Sequence, residues 1–332
     1  MKCIRLHEDS CRRLSFYLAM EEYLARNMTD EVFLVWQAPP AVIVGRNQLI
    51  ETEVNLGYCR EHGIQVFRRK SGGGCVYSDM GNLMVSCITD GNDVPFIFET
   101  YMRRLALFLC TTGIRAEVSG RNDILVDGRK VSGNAFYSMH GRNIMHGTLL
   151  WDSDLTAMEQ ALTPSSSKLR SKGVGSVRQR VANLKEAYGH AGTGAPADAA
   201  ALRDAIVRSF CDSERYLTVE EVHEIESLEK SYLDPGFIHG CNPPYTLSRE
   251  VAVPGSGLLT FSLSVRNGKI LKVGVSGDCM QGTERLGAEL ERLLKGSDSR
   301  RSSLLDALGS MTPGDYIRGL SVESITDALA SD

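Results

Sequence analysis

The segment that most restricts this chain is Arg68-Arg69-Lys70-Ser71-Gly72-Gly73-Gly74-Cys75-Val76-Tyr77. Three consecutive glycines carry a large entropy cost on folding, so a fold that keeps them must use what they permit. They permit close approach to the main chain, and their N–H groups can converge on an anion. The three cationic residues before them favour a phosphate or a carboxylate. The apolar residues after them predict a strand that anchors the turn. Taken alone, the segment also fits a pliant hairpin with a solvated basic flank.

A second informative segment is Gly120–Ala135, GRNDILVDGRKVSGNA. Asp127-Gly128 predicts a tight hairpin. On the strand that follows, the two-residue period predicts Lys130 and Ser132 on one face. A lysine so placed can steady a developing negative charge without being consumed, and Ser132 can add a hydrogen bond. Asp123 is a candidate partner for Mg²⁺, which prefers carboxylate and phosphate oxygens. A lone strand lysine is more often simply solvent-facing than part of a site.

His146 follows in His146-Gly147-Thr148-Leu149-Leu150, where a lone histidine has a structural role more often than a catalytic one. Lys168, Arg170, Lys172, Arg178, Arg180 and Lys185 then supply six positive charges, with no acid between the first and the last. A basic stretch containing glycines can close over a phosphorylated ligand, or it can be a solvated loop.

The length of 332 residues predicts two domains. Ser10 is placed to cap a helix running to about Asn27, with Leu14, Tyr17, Leu18 and Leu24 on one face. Strands are expected at Val32–Trp36, Ala41–Val44, Ile64–Arg68 and Gly81–Ile88, then a helix over Pro95–Cys110 ended by Gly113. Asp123–Val126, Lys130–Ser132 and Thr148–Trp151 are expected as short strands set among glycines. His190–Ala200 predicts a surface connection and Ala201–Cys211 a helix. Beyond Asn242-Pro243-Pro244, Leu258–Val265 and Ile270–Val275 flank Arg266-Asn267-Gly268, a hairpin signal. Helices over Thr283–Lys295 and Ser303–Ser310 complete the pattern. The irregular alternation indicates an α+β fold rather than a doubly wound sheet. No GxGxxG or GxxxxGK[ST] opens a helix after a strand, which disfavours the common dinucleotide and P-loop sites.

A net charge of −4 points away from a protein that tracks a nucleic-acid backbone. Hydrophobic residues at 42% and charged residues at 23% are an ordinary globular balance, with no apolar run long enough to span a bilayer. The opening MKCIRLHEDSCRR does not read as a signal peptide. The nine cysteines include no CxxC pair and are odd in number, so reduced thiols in a reducing compartment are expected.

Together these segments resemble the lipoate–protein ligase A family of the biotin/lipoate ligase superfamily. The matching stretches are PAVIVGRNQ (40–48), RRKSGGGCVYSDMGN (68–82), GRNDILVDGRKVSGNA (120–135), HGTLL (146–150) and KGVGSVRQRVANL (172–184), in the family's order. Farther on, NPPYTLSREV and GKILKVGVSGDC resemble its accessory domain. The resemblance implies a mixed central β-sheet with flanking helices, shared with biotin protein ligases, over about residues 1–236. It implies a small C-terminal α+β accessory domain over 240–332.

The resemblance also implies roles. Lys130 matches the catalytic lysine that contacts both the lipoyl carboxylate and the α-phosphate. Lys70, Gly73 and Gly74 lie at the nucleotide-binding turn, and Cys75, Val76, Tyr77 and Ser78 match the strand lining the nucleotide. Ser132 stands beside the lysine in the motif, Arg178 and Arg180 fall in the adenylate-covering loop, and Gly74 and His146 join Lys130 on the lipoate side. Asp123 is the metal candidate. ATP, Mg²⁺ and lipoic acid are implied as cofactors and substrate. The implied acceptors are apo lipoyl domains of 2-oxoacid dehydrogenases and the glycine-cleavage H protein, in the cytoplasm, with no nucleic-acid or membrane partner.

Two positions depart from the family. Ser78 stands where the family usually has His, and serine can donate a hydrogen bond but carries no positive charge. Lys70 is often Arg in relatives, and lysine lacks the planar fork of a guanidinium. Three other activities compete. An ATP-independent octanoyl or lipoyl transferase works through a cysteine thioester, yet no cysteine lies between Cys110 and Cys211. A non-catalytic lipoyl-adenylate binding protein draws support only from Ser78. A biotin ligase shares the fold but uses a different glycine-rich basic motif.

Overall fold

A computed structural model describes residues 1–7, 11–48, 50–120, 122–162, 180–191, 195–239, 247–266, 269–279 and 281–330. Two compact units emerge. The first comprises Met1–Val44, Glu51–Arg69 and Cys75–Ile238; the second comprises Gly45–Ile50, Lys70–Gly74 and His239–Asp332.

In chain order, the strands of the first unit are β1 (Lys2–Arg5), β2 (Val32–Trp36), β3 (Ala41–Val44), β4 (Gln65–Arg68), β5 (Val76–Ser78), β6 (Asn82–Thr89), β7 (Ala116–Ser119), β8 (Asp123–Val126), β9 (Arg129–Met139), β10 (Arg142–Leu150) and β11 (Ser213–Tyr216). Eight of the described strands form one sheet in the order β11-β1-β2-β6-β10-β9-β8-β7, and β4-β3-β5 form another. Neighbours run parallel from β11 to β2 and antiparallel beyond, so the large sheet is mixed. Helices up to residue 239 are α1 (Leu14–Asn27), α2 (Ile50–Glu53), α3 (Leu56–Glu61), α4 (Val94–Thr111), α5 (Leu155–Ala161), α6 (Leu184–Ala191), α7 (Ala199–Phe210), α8 (Val219–Tyr232) and α9 (Pro235–His239).

Helix α1 is buried from Leu14 to Ala25, not along a single face as its periodicity predicts. It lies between the sheet and α8, touching β6, β9 and β10 on one side and α8 on the other. Its N-cap is Arg13, with no side-chain cap; Ser10 lies outside the described residues. Helix α8 is started by a capping box: Thr218 Oγ1 accepts from Glu221 N at 3.3 Å, and the Glu221 carboxylate accepts from Thr218 N at 2.9 Å.

The Asp127-Gly128 turn has φ of 50° and 74°, the left-handed pair that a two-residue hairpin requires. The short strands expected at 130–132 and 148–151 fall in much longer ones, β9 with 11 residues and β10 with 9, although β10 stops at Leu150. Gly133 and Gly147 suggest breaks, but both strands sit inside the sheet, where ladder bonds on both sides carry the chain through them.

In the second unit, β12 (Leu247–Val253), β13 (Gly257–Arg266) and β14 (Lys269–Gly277) form an antiparallel sheet. Helices α10 (Thr283–Leu294), α11 (Arg301–Leu308) and α12 (Val322–Leu329) belong to it as well. Thr283, Leu286, Leu290 and Leu294 are fully buried at helical spacing on α10, which packs on β14, and the three leucines share one core with Leu259, Phe261 and Leu263 of β13. The Asn267-Gly268 turn lies outside the described residues, but the strands on either side of it pair as a hairpin. Strand β12 and helix α12 were not anticipated from the sequence; Ser, Arg and Glu interrupt the apolar pattern of β12.

The glycine turn belongs to this unit by its contacts. Arg46 N donates to Ser71 O at 3.0 Å, Gly73 N to Cys279 O at 3.4 Å, and Gly277 N to Asn47 O at 3.0 Å. Gly73 has φ of 92°, which explains a glycine there. The chain is therefore α+β throughout: a large mixed sheet with flanking helices, and a smaller α+β unit. Among the described residues no helix is long and apolar enough to cross a membrane.

Candidate active site

Strands β8 and β9 pair Asp123 with Gly133, Ile124 with Ser132, Leu125 with Lys130 and Val126 with Arg129. Val131 is the extra residue, a bulge that breaks the two-residue period. Residues directly opposite share a face, so Lys130 lies with Leu125 and Asp123, and Ser132 lies with Ile124 on the other side. This corrects the expectation that Lys130 and Ser132 share a face. Ser132 is fully buried and accepts a hydrogen bond from Asn134 Nδ2 at 3.1 Å.

Lys130 Nζ is 2.7 Å from Asp123 Oδ1, and Arg180 donates to Asp123 Oδ2 at 2.6 Å. The carboxylate is about nine-tenths buried, with 10% of the side chain exposed. Burial raises its pKa, but the charges and hydrogen bonds of Lys130 and Arg180 outweigh that and hold it at about 2. The segment after Arg180 joins the same place: Ala182 N donates to Lys130 O at 2.9 Å, and Val181 bridges to Lys130 in parallel. Three ionised groups thus meet with a net charge of one positive. The side chain of Lys130 folds back over Gly133, where an added Cβ would stand 2.7 Å from Lys130 Cε and closer still to Nζ.

His146 pairs with Ala135 across the ladder, which puts it and Thr148 on the Lys130 face of the sheet. Thr148 Oγ1 accepts from Gly133 N at 3.1 Å. His146 Nδ1 lies 2.9 Å from a carboxylate oxygen of Glu21 on α1, and Glu21 is fully buried. Glu21 also accepts from Ser86 Oγ at 2.5 Å, and Ser86 Oγ accepts from Trp36 Nε1 at 3.0 Å. Tyr232 donates to the adjacent Glu22 at 2.6 Å. Glu21, Ser86 and Trp36 were missed by sequence reasoning. The available signal was Glu21-Glu22 in the middle of the otherwise apolar run from Phe16 to Ala25.

On β5, Val76, Tyr77 and Ser78 pair with Ile43, Val42 and Ala41. Tyr77 and Ser78 are buried, Cys75 and Val76 half-buried. Burial pushes the Tyr77 phenol up. Ser78 Oγ accepts from Asn82 Nδ2 at 3.3 Å. Arg69 is buried and donates to Ile43 O at 3.2 Å; burial lowers it to about 10, so it stays charged at neutral pH. Lys70, Gly73 and Gly74 belong to the second unit. Arg178 lies outside the described residues. Among those residues no group of three or more His, Cys, Asp or Glu could hold a metal ion, and both oxygens of Asp123 face cations. The sheet face around Lys130 can therefore hold an anion, with a buried imidazole on the same face.

The family model for the lipoyl protein ligase A/B catalytic domain matches residues 14–211, and that for the bacterial lipoate protein ligase C-terminus matches residues 242–329. The chain is 35% identical over 318 residues to lipoate-protein ligase LplJ of Bacillus subtilis, covering 94% of this chain and 95% of that protein. It is 38% identical over 269 residues to lipoate–protein ligase 1 of Staphylococcus aureus, covering 79% and 80%. Among solved structures, P. falciparum LipL1 in complex with lipoate aligns with a TM-score of 0.74 at 20% identity, covering 98% of this chain and 97% of that one. A bi-partite lipoate protein ligase of Thermoplasma acidophilum, described with its E2 lipoyl domain, aligns at 0.62 and 25% identity, covering 74% and 98%. A lipoate-protein ligase A bound with ATP aligns at 0.61 and 24%, covering 72% and 98%.

Proposed function

The chain belongs to the lipoate–protein ligase family, and on that premise we propose that it activates lipoic acid with ATP and joins the lipoyl group to a lysine of an acceptor protein. The observation that carries this reading is Lys130, a cation fixed on one face of the central sheet beside Asp123 and Arg180.

A carboxylate is a poor acyl donor because oxide would have to leave. Attack of a lipoate oxygen on the α-phosphorus of ATP forms a C–O–P anhydride, breaks the α–β bond and releases pyrophosphate. Two anions must meet in that step, so fixed cations stabilise it. Lys130 serves as that cation. In the second step an acceptor amine attacks the carbonyl, AMP leaves with the electron pair, and the amine loses its proton. Lys130 must stay charged through both steps, since a neutral amine there would itself be acylated.

In this reading Lys70 and the amides of Gly73 and Gly74 take the nucleotide phosphates. Cys75, Val76, Tyr77 and Ser78 line the nucleotide, and Arg178 and Arg180 cover the adenylate. Mg²⁺ arrives with ATP as its complex, held chiefly by phosphate oxygens and water. Gly74 and His146 serve the lipoyl side. Residues 1–236 carry the chemistry, and 240–332 form the accessory domain. The acceptors are apo lipoyl domains of 2-oxoacid dehydrogenases and the glycine-cleavage H protein, and the use of ATP suits a cytoplasmic reaction.

The test is to incubate the protein with ATP, Mg²⁺, lipoate and an apo lipoyl domain, then weigh the intact domain. The expected result is one added lipoyl group, only when ATP is present. Acyl transfer without ATP would replace the ligase with a transferase, and ligand binding without turnover would replace it with a binding protein.

A further inference from the structure

We infer that Asp123 is a positioning residue for Lys130, a shared counter-ion that aims its ammonium, and not a ligand of the magnesium ion that accompanies the nucleotide. This deepens the adenylation reading above and rests on it.

The geometry argues for it in three ways. First, both carboxylate oxygens face cations, Lys130 at 2.7 Å and Arg180 at 2.6 Å. Mg²⁺ needs a lone pair at about 2.1 Å in near-octahedral order, so it would have to expel one of those cations from a largely buried group. Second, among the described residues no group of three or more His, Cys, Asp or Glu stands ready to hold a metal ion. Third, paired backbone holds Asp123 and Lys130 and begins again directly after Arg180. Asp123 is held by β8 opposite Gly133, Lys130 by β9, and Arg180 stands two residues before Ala182, which bonds to Lys130 O.

A lysine ammonium sits on a flexible four-carbon stem, and the backbone fixes only its root. A fixed counter-charge at its tip sets where the cation waits. The ammonium has three N–H donors, so it can hold Asp123 and substrate oxygens together.

The experiment is Asp123→Asn, assayed by lipoate-dependent pyrophosphate release while Mg²⁺ and ATP are titrated separately. Positioning predicts kcat reduced about tenfold or more, since a misplaced reacting group costs rate rather than binding. It predicts a Mg²⁺ half-saturation and an ATP KM within about twofold of the native enzyme. A half-saturation raised about tenfold, with kcat restored at high Mg²⁺, would overturn the inference, because a lost metal ligand behaves that way. An unchanged kcat would overturn it as well. Circular dichroism checks the fold. Should the asparagine variant not fold, Asp123→Glu keeps the charge but shifts the cation, and the same split between kcat and Mg²⁺ dependence is expected. Absence of lipoate-dependent pyrophosphate release by the native enzyme would sink the ligase reading itself, before any variant is compared.

Discussion

Replacing Gly133 by alanine should separate the chemistry of Lys130 from the fold that carries it. The added methyl would stand 2.7 Å from Lys130 Cε. Carbon atoms rest about 3.5–4.0 Å apart, so the end of the lysine must retreat by about 1 Å. The atoms in the way belong to the tip of a flexible side chain and not to backbone, so the strand can stay in place. The ammonium, now 2.7 Å from Asp123, loses that geometry. A misplacement of about 1 Å at a reacting centre costs on the order of a hundredfold in rate, or about 2.7 kcal/mol in the barrier. Stability should scarcely change, because alanine is favoured over glycine in a strand by about 0.5–1 kcal/mol, which offsets a weakened ion pair. The assay is the initial rate of lipoate-dependent pyrophosphate release, with a thermal melt on the same sample. A variant that folds normally and turns over at the native rate would refute the reasoning, as would one that unfolds.

Other substitutions test the surrounding structure. Glu21→Ala strips buried His146 and Ser86 of their acceptor and should cost about 2–4 kcal/mol in urea unfolding; an unshifted midpoint would show that the network adds no stability. Asp123 titrates at about 2 in the folded chain, below its unfolded value of about 3.9. Its stabilising contribution, about 2.6 kcal/mol, is therefore nearly complete above pH ~4 and disappears as pH falls through ~2. Acid titration of native protein and Asp123→Asn should diverge above that window and converge below it; parallel curves would contradict the pairing. Leu290→Ala removes a fully buried side chain from α10 and should destabilise the second unit by about 2–5 kcal/mol, read by a denaturant melt. A loss under about 0.5 kcal/mol would mean that the helix does not rely on that contact.

Local chemistry in the sequence anticipates a good part of this architecture. Asp127-Gly128 needs two left-handed residues in a row, and that demand is visible in the pair itself. The strands at 32–36, 41–44 and 123–126 announce themselves as β-branched runs bounded by turns. Features that depend on a partner do not announce themselves. The bulge at Val131 is defined only by what β8 places opposite β9, so the two-residue period predicts the wrong neighbour for Lys130. Glu21 reads as a helix-surface acid until Ser86 and His146, 65 and 125 residues away, close around it. Arg180 reads as part of a basic stretch until Asp123, 57 residues away, accepts its hydrogen bond. Long-range pairing turns ordinary charges into a site, and no local pattern encodes it.

Lipoate-dependent release of pyrophosphate from ATP, compared between the native chain and Lys130→Ala, probes the role of the ammonium most directly. Brisk release by the native protein and a drop on the order of a thousandfold or more in a folded Lys130→Ala variant are predicted. A variant that keeps its fold and releases pyrophosphate at close to the native rate would contradict the account.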